Sequence, residues 1–222
     1  TIKSLERVLV VAQTTKTMSF CFQPNVYVYS MMTIVFSFER YDTFVVLQSS
    51  LHECWARKYA STLETRLRYT PSDIFETFPF PQNQSAEREA FLEQIGEKYH
   101  NHRQWLMLKM QLGLTKTYNQ FHNKQLSIIN DTLTENEIEK KYGKETLNLW
   151  RHLSRTANTD LFNASNNCSF NEAVEGIFEL RRLHKEMDEA VLKAYGWTDI
   201  NLAHNFYEVD YLPENDRVRY TI

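Results

Sequence analysis

At 222 residues, 42% of them hydrophobic and 24% charged, the chain has the size and make-up of one large or two small globular domains, and five Gly and five Pro exclude a low-complexity or linker-dominated polymer. A net charge of −3 lacks the basic excess of a free-standing nucleic-acid binder, although residues 1–81 carry eight basic and seven acidic side chains against 17 and 21 in the remainder. No run approaches a membrane span, no signal-peptide pattern appears, and the scattered Cys21, Cys54 and Cys168 support neither a disulfide framework nor a CxxC metal site, which points to buried thiols in a reducing cytoplasm.

The first fifty residues read as short strands. Val8–Val11, Met18–Phe22, Val26–Tyr29, Thr33–Phe38 and Phe44–Leu47 are rich in β-branched and aromatic side chains and are separated by polar breaks at Thr15-Lys16, Pro24-Asn25 and Asp42-Thr43, the pattern of a mostly antiparallel sheet. A helix follows from about Ser50 to Thr62, with Leu51, Cys54, Trp55 and Tyr59 on one face. Pro79 and Pro81, one residue apart, forbid regular helix, and with Gln82-Asn83-Gln84 they mark a boundary. Beyond it the period turns helical. Ser85 opens a helix whose inner stripe takes in Phe91, Ile95, Tyr99, His102 and Leu106; Thr134-x-x-Glu137 and Ser169-x-x-Glu172 match capping boxes; Val174, Ile177, Leu180, His184, Met187 and Val191 share a face that ends at Gly196. The expectation is an α+β chain: a small antiparallel β-rich domain over 1–83 and an α-helical bundle over 84–222.

Catalytic motifs are missing from this pattern. Gly96, Gly113, Gly143, Gly176 and Gly196 are too far apart for a nucleotide-binding loop, and no Asn-Pro dipeptide exists to start the Asn-Pro-Pro-aromatic motif of amino-methyltransferases. His52-Glu53-Cys54-Trp55-Ala56 begins like HExxH but has Ala56 where a zinc site needs its second imidazole, and His100 and His102 fall on different helical faces. His102 and His184 lie on apolar stripes and read as hydrogen-bonded core or interface histidines. Pro213-Glu214-Asn215-Asp216-Arg217 loosely resembles a nuclease acid pair, without its lysine, and reads equally as a turn. No metal or catalytic residue is assigned.

Basic residues offer more. Arg57, Lys58, Arg66 and Arg68 alternate with Tyr59 and Tyr69, a mixture that suits phosphate contact with stacking; a solvated helix face with Glu53 and Glu64 as local partners is the alternative. Lys16 and Arg40 occupy turns at strand ends, where a rigid sheet presents long side chains, and are candidates for base-edge or phosphate contacts. Salt bridges to Glu64 and Asp73 remain the alternative for Arg66 and Arg68.

Three segments carry a resemblance. Leu47-Gln48-Ser49-Ser50-Leu51-His52-Glu53-Cys54-Trp55-Ala56-Arg57, running on through Ser61–Arg68 to Tyr69-Thr70-Pro71-Ser72-Asp73-Ile74-Phe75-Glu76-Thr77-Phe78-Pro79-Phe80-Pro81, resembles the end of the target-recognition domain in large bacterial MmeI-like restriction–modification enzymes with a fused adenine methyltransferase. Gly113–His122 looks like the start of that family's helical C-terminal domain, and Leu192–Ile200 with Tyr211–Ile222 is similar to its end. The resemblance implies double-stranded DNA as partner. It also implies an S-adenosylmethionine-binding methyltransferase domain upstream of Thr1, in many members preceded by a nuclease domain. The fragment itself would then hold no cofactor and no enzyme activity. Alternatively, the helical part is an interaction module that docks on a methyltransferase domain or partner subunit.

Overall fold

The computed structural model describes residues 2–63, 66–82, 84–129, 133–159, 168–210 and 212–221. Seven α-helices and eight strands are present among them, the α+β class expected from the pattern. In chain order they are β1 (Arg7–Ala12), β2 (Thr14–Thr15), β3 (Cys21–Pro24), β4 (Thr33–Phe36), α1 (Tyr41–Gln48), α2 (Ser50–Tyr59), β5 (Ser61–Leu63), β6 (Arg66–Arg68), α3 (Pro71–Ile74), α4 (Ala86–Met110), α5 (Leu114–Phe121), α6 (Glu135–Thr159, broken at Gly143), α7 (Phe170–Tyr195), β7 (Asn205–Glu208) and β8 (Val218–Thr221). No described helix is long and apolar enough to cross a membrane.

The chain forms two compact units, one of residues 1–100 and 183–203, the other of 101–182 and 204–222. The expected boundary after residue 83 does not coincide with this division, because the long helices α4 and α7 each give residues to both cores. The first unit holds two antiparallel sheets, β3-β1-β4 and β2-β6-β5. The second holds the β7-β8 hairpin and helical segments.

Aromatic side chains fill the first core. The Phe20 ring lies tilted at 5.8 Å from Phe36 and edge-on at 5.9 Å from Tyr69, and Phe36 meets Phe75 at 4.9 Å. The Met18–Phe20 backbone has no strand partner, and a buried amide satisfies it: Phe20 N donates to Gln48 Oε1 at 2.9 Å. Phe44, Val45, Val46 and Leu47, expected as a strand, are the middle of α1. All four are buried, so the run carries no periodicity to separate helix from strand. Ser49, with ψ 155°, separates α1 from α2 and caps the latter, its hydroxyl accepting from His52 N at 3.3 Å. Val26–Tyr29, also expected as a strand, is an exposed loop between β3 and β4, since no neighbouring strand is there to complete the ladder. Phe91 departs from the expected inner stripe of α4: it is exposed, and Leu92 is buried instead. Of the cysteines only Cys168 is buried; Cys54 is exposed and Cys21 half-buried.

In the second unit, the buried Arg181 guanidinium donates to the carbonyls of Phe121 (2.9 Å), Gln120 (3.1 Å) and Asn123 (2.9 Å) at the C-terminal end of α5. It also lies against the rings of Phe206 and Tyr220, tying the hairpin to α5. The Ser169 capping box forms in full, Ser169 N donating to Glu172 Oε2 at 2.7 Å while Glu172 N donates back to Ser169 Oγ at 3.2 Å; at Thr134 the glutamate half forms, Glu137 Oε2 accepting from Thr134 N at 2.8 Å and from its hydroxyl at 2.6 Å. Gly196, at φ 76°, closes α7. Pro213–Arg217 is a turn of 3-10 helix, with Arg217 Nε donating to Leu212 O at 3.1 Å.

Candidate nucleic-acid interface

The middle strand of sheet β2-β6-β5 carries the cations. Because a strand alternates with period two, Leu67 points inward, 1% exposed, while Arg66 and Arg68 both face solvent on the opposite side. Arg68 lies between Thr14 and Ser61, and Leu67 between Thr15 and Thr62. Lys16 follows Thr15 directly, at the end of the sheet where β6 begins with Arg66. Of the carboxylates expected as partners, Asp73 accepts from Ser72 Oγ at 3.1 Å, and Glu64 lies outside the described residues.

Arg57 supports this edge from beneath. Its Nη2 donates to Lys16 O at 2.8 Å and pairs with Glu53 Oε1 at 2.9 Å, one helical turn back. Its side chain is only 13% exposed, so it braces the turn that presents Lys16. Lys58 is exposed on the last turn of α2, its ammonium 5.5 Å from the Tyr59 ring. Arg40 belongs elsewhere: it precedes α1 and pairs with Asp42 at 2.6 Å, and that carboxylate raises its pKa. The structure thus brings Lys16, Arg57, Arg66 and Arg68 to one sheet and leaves Arg40 in a separate ion pair.

A buried network holds β6 in place. Tyr69 N donates to Gln13 O at 2.8 Å, and its hydroxyl lies 3.2 Å from His52 Nε2. His52 Nδ1 faces the Leu47 carbonyl at 2.8 Å, so Nδ1 carries the proton and Nε2 accepts from Tyr69. Burial pushes the His52 ring down to about 4 and the Tyr69 hydroxyl upward, so both are neutral near pH 7. His52 is therefore a core residue; in the sequence it is indistinguishable from half of a zinc motif. No group of three metal-ligating side chains occurs among the described residues.

One constellation was invisible in the sequence. Ser50 Oγ lies 3.0 Å from His184 Nε2, Asp188 Oδ2 lies 3.5 Å from the same nitrogen, and Asp188 Oδ1 accepts from Ser50 N at 2.8 Å. A Ser-His-Asp relay needs hydroxyl and carboxylate on opposite ring nitrogens. Here both meet Nε2, and all three residues are buried. The carboxylate sits on the amide of the first residue of α2, where it complements the helix dipole. Arg7 was also missed: its guanidinium lies 4.0 Å from the Phe22 ring and 4.3 Å from that of Tyr41, with Nη2 donating to Glu39 O at 2.6 Å. All five glycines lie within helices or at helix ends.

This α+β arrangement of small antiparallel sheets, long helices and a terminal hairpin has a counterpart among solved structures. It is part of the Type IIL restriction-modification enzyme MmeI, solved in complex with DNA, which this chain matches at a TM-score of 0.51 and 18% identity over 88% of its length. The chain spans 19% of the MmeI chain, and at this identity the likeness is one of fold. No family model and no curated protein matches the chain.

Proposed function

We propose that this chain is the DNA-recognition portion of a restriction–modification enzyme, with adenine methylation and the S-adenosylmethionine site in a domain outside it. The observation that carries the reading is the outward pair Arg66 and Arg68 on the middle strand of a small sheet, with Lys16 at the strand end and Arg57 bracing it. Two guanidinium groups on one rigid face suit successive phosphates. The MmeI structure, of similar fold, was solved with DNA bound, which supports the reading. A fluorescent duplex selected from a randomised pool and titrated across salt tests it. The logarithm of affinity should fall linearly with the logarithm of salt, and R66A/R68A should flatten that line by about two units, one per lost phosphate contact. A parent without salt-dependent binding, or a double variant with the parent's slope, refutes it.

For the helical part a second reading has its own support. Trp105 and Leu108, three residues apart on α4, are exposed, and so is Phe178 on α7. The His102 Nε2 to Gly176 carbonyl contact of 2.8 Å sets the two helices together there. An exposed aromatic and aliphatic patch suits docking on a methyltransferase domain or partner subunit.

A further inference from the structure

The loop between β3 and β4 is apolar where a loop is ordinarily polar. Val28 is 101% exposed, Met31 90%, Val26 80%, Tyr27 60% and Met32 52%. No charged side chain occurs from Thr17 to Phe38. The loop is nevertheless tied down. Asn25 Nδ2 donates to the carbonyls of Ile2 and Leu5, Asn25 N donates to Glu6 O at 3.0 Å, Tyr29 OH donates to Pro24 O at 2.9 Å, and Thr33 N donates to Ser30 O at 2.9 Å. The polar groups of the loop are spent on its own backbone and its root, and its apolar side chains are left facing water.

Its position selects a partner. Gln13, between β1 and β2, donates through its amide to Met32 O at 2.8 Å and accepts through its carbonyl from Tyr69 N at 2.8 Å. One residue therefore fastens the end of the apolar loop on one side and the end of the Arg66–Arg68 strand on the other. Thr14, the next residue, pairs with Arg68 itself. An apolar tip rooted beside outward guanidinium groups matches duplex DNA, which offers thymine methyls and base faces inside a groove and phosphates along its rim. A protein partner would require the arginines beside the tip to be matched by acids or left solvated.

Resting on the DNA reading above, we propose that the 25–32 loop enters a DNA groove, where Val28 and Met31 make apolar contacts with the bases while Arg66 and Arg68 hold the adjoining phosphates. Apolar contact releases no counterions, so the two halves of the surface separate in a salt titration. The test uses the full chain and the pool-selected duplex, with the parent, Val28→Ser/Met31→Ser, and R66A/R68A. Both substituted loop residues are solvent-exposed, and unchanged thermal unfolding verifies the fold. The loop variant is expected to bind about tenfold more weakly at every salt concentration, on a line parallel to the parent's; R66A/R68A changes the slope instead. Two results overturn the inference while the DNA reading stands: a loop variant that binds like the parent, and one that loses slope as the arginine variant does. A loop variant that keeps DNA affinity but has a smaller mass in solution makes the loop a protein interface and also overturns it. A parent that binds no duplex refutes the DNA reading itself.

Discussion

Acidification should weaken the first unit through His52. This ring is fully buried, and burial holds its pKa at about 4 against an ordinary 6.5, the Leu47 carbonyl offsetting part of the effect. In the unfolded chain the same ring titrates near the ordinary value. Between the two the unfolded state binds more protons, so the stabilisation is complete above about pH 6.5 and is lost as pH falls toward about 4. A spread of about 2.5 pH units at roughly 1.4 kcal/mol each amounts to about 3.5 kcal/mol, a large share of a typical domain's 5–15 kcal/mol or so. The measurement is urea unfolding from about pH 8 to about pH 4.5 for the parent and His52→Gln. Carboxylate titration is common to both proteins, and only the parent has the ring. The parent should lose up to about 2.5 kcal/mol more than the variant over that range. Parallel losses in the two proteins would show that His52 is not the linked group. Affinity for the selected duplex should fall over the same range, because a protonated Nε2 no longer accepts from Tyr69, the residue that follows Arg68.

Two further outcomes are expected. Arg181→Met removes a buried guanidinium, held at about 10 by burial, that donates to three backbone carbonyls and packs on the hairpin rings; it should destabilise the second unit by about 3 kcal/mol in urea unfolding, and a loss below about 1 kcal/mol would mean the carbonyls find other donors. Titration of the chain with S-adenosylmethionine should give no saturable heat, and a micromolar isotherm would place the donor site inside it.

Local rules made much of this fold readable. Ser169-x-x-Glu172 and Gly196 mark the two ends of α7 because a cap is decided within four residues of sequence. The α7 stripe from Val174 to Val191 is buried as its period requires. The same rules failed where packing decides. Phe44–Leu47 is surrounded on all sides and shows no period. Val26–Tyr29 has strand composition but no partner strand. β6 is three residues long, too short for its alternation to stand out, although Arg66 and Arg68 on their own were legible as candidates. Their supports were legible only in part. Glu53 sits one turn from Arg57 and could be named, but the Lys16 carbonyl that Arg57 also holds lies 41 residues away. Ser50 and His184 are 134 residues apart, and no spacing in the sequence joins them.

The negative net charge is compatible with a DNA-facing surface once screening is included. At physiological salt the Debye length is about 8 Å, so exposed charges further apart than that hardly sense one another. What a phosphate meets is the local set of side chains. All of the acidic excess belongs to residues 82–222, while β6 presents two arginines flanking one leucine. The nearest acid to the brace, Glu53, is occupied by Arg57 at 2.9 Å, and Asp42 is occupied by Arg40 at 2.6 Å. Such pairs neutralise themselves. A surface with few cations has a shallow salt slope, and the apolar loop beside it then has to supply more of the affinity. That is the opposite balance from a strongly basic binder, whose affinity collapses with salt. On the DNA reading proposed above, a small slope joined to a salt-insensitive remainder is the expected outcome of the titration.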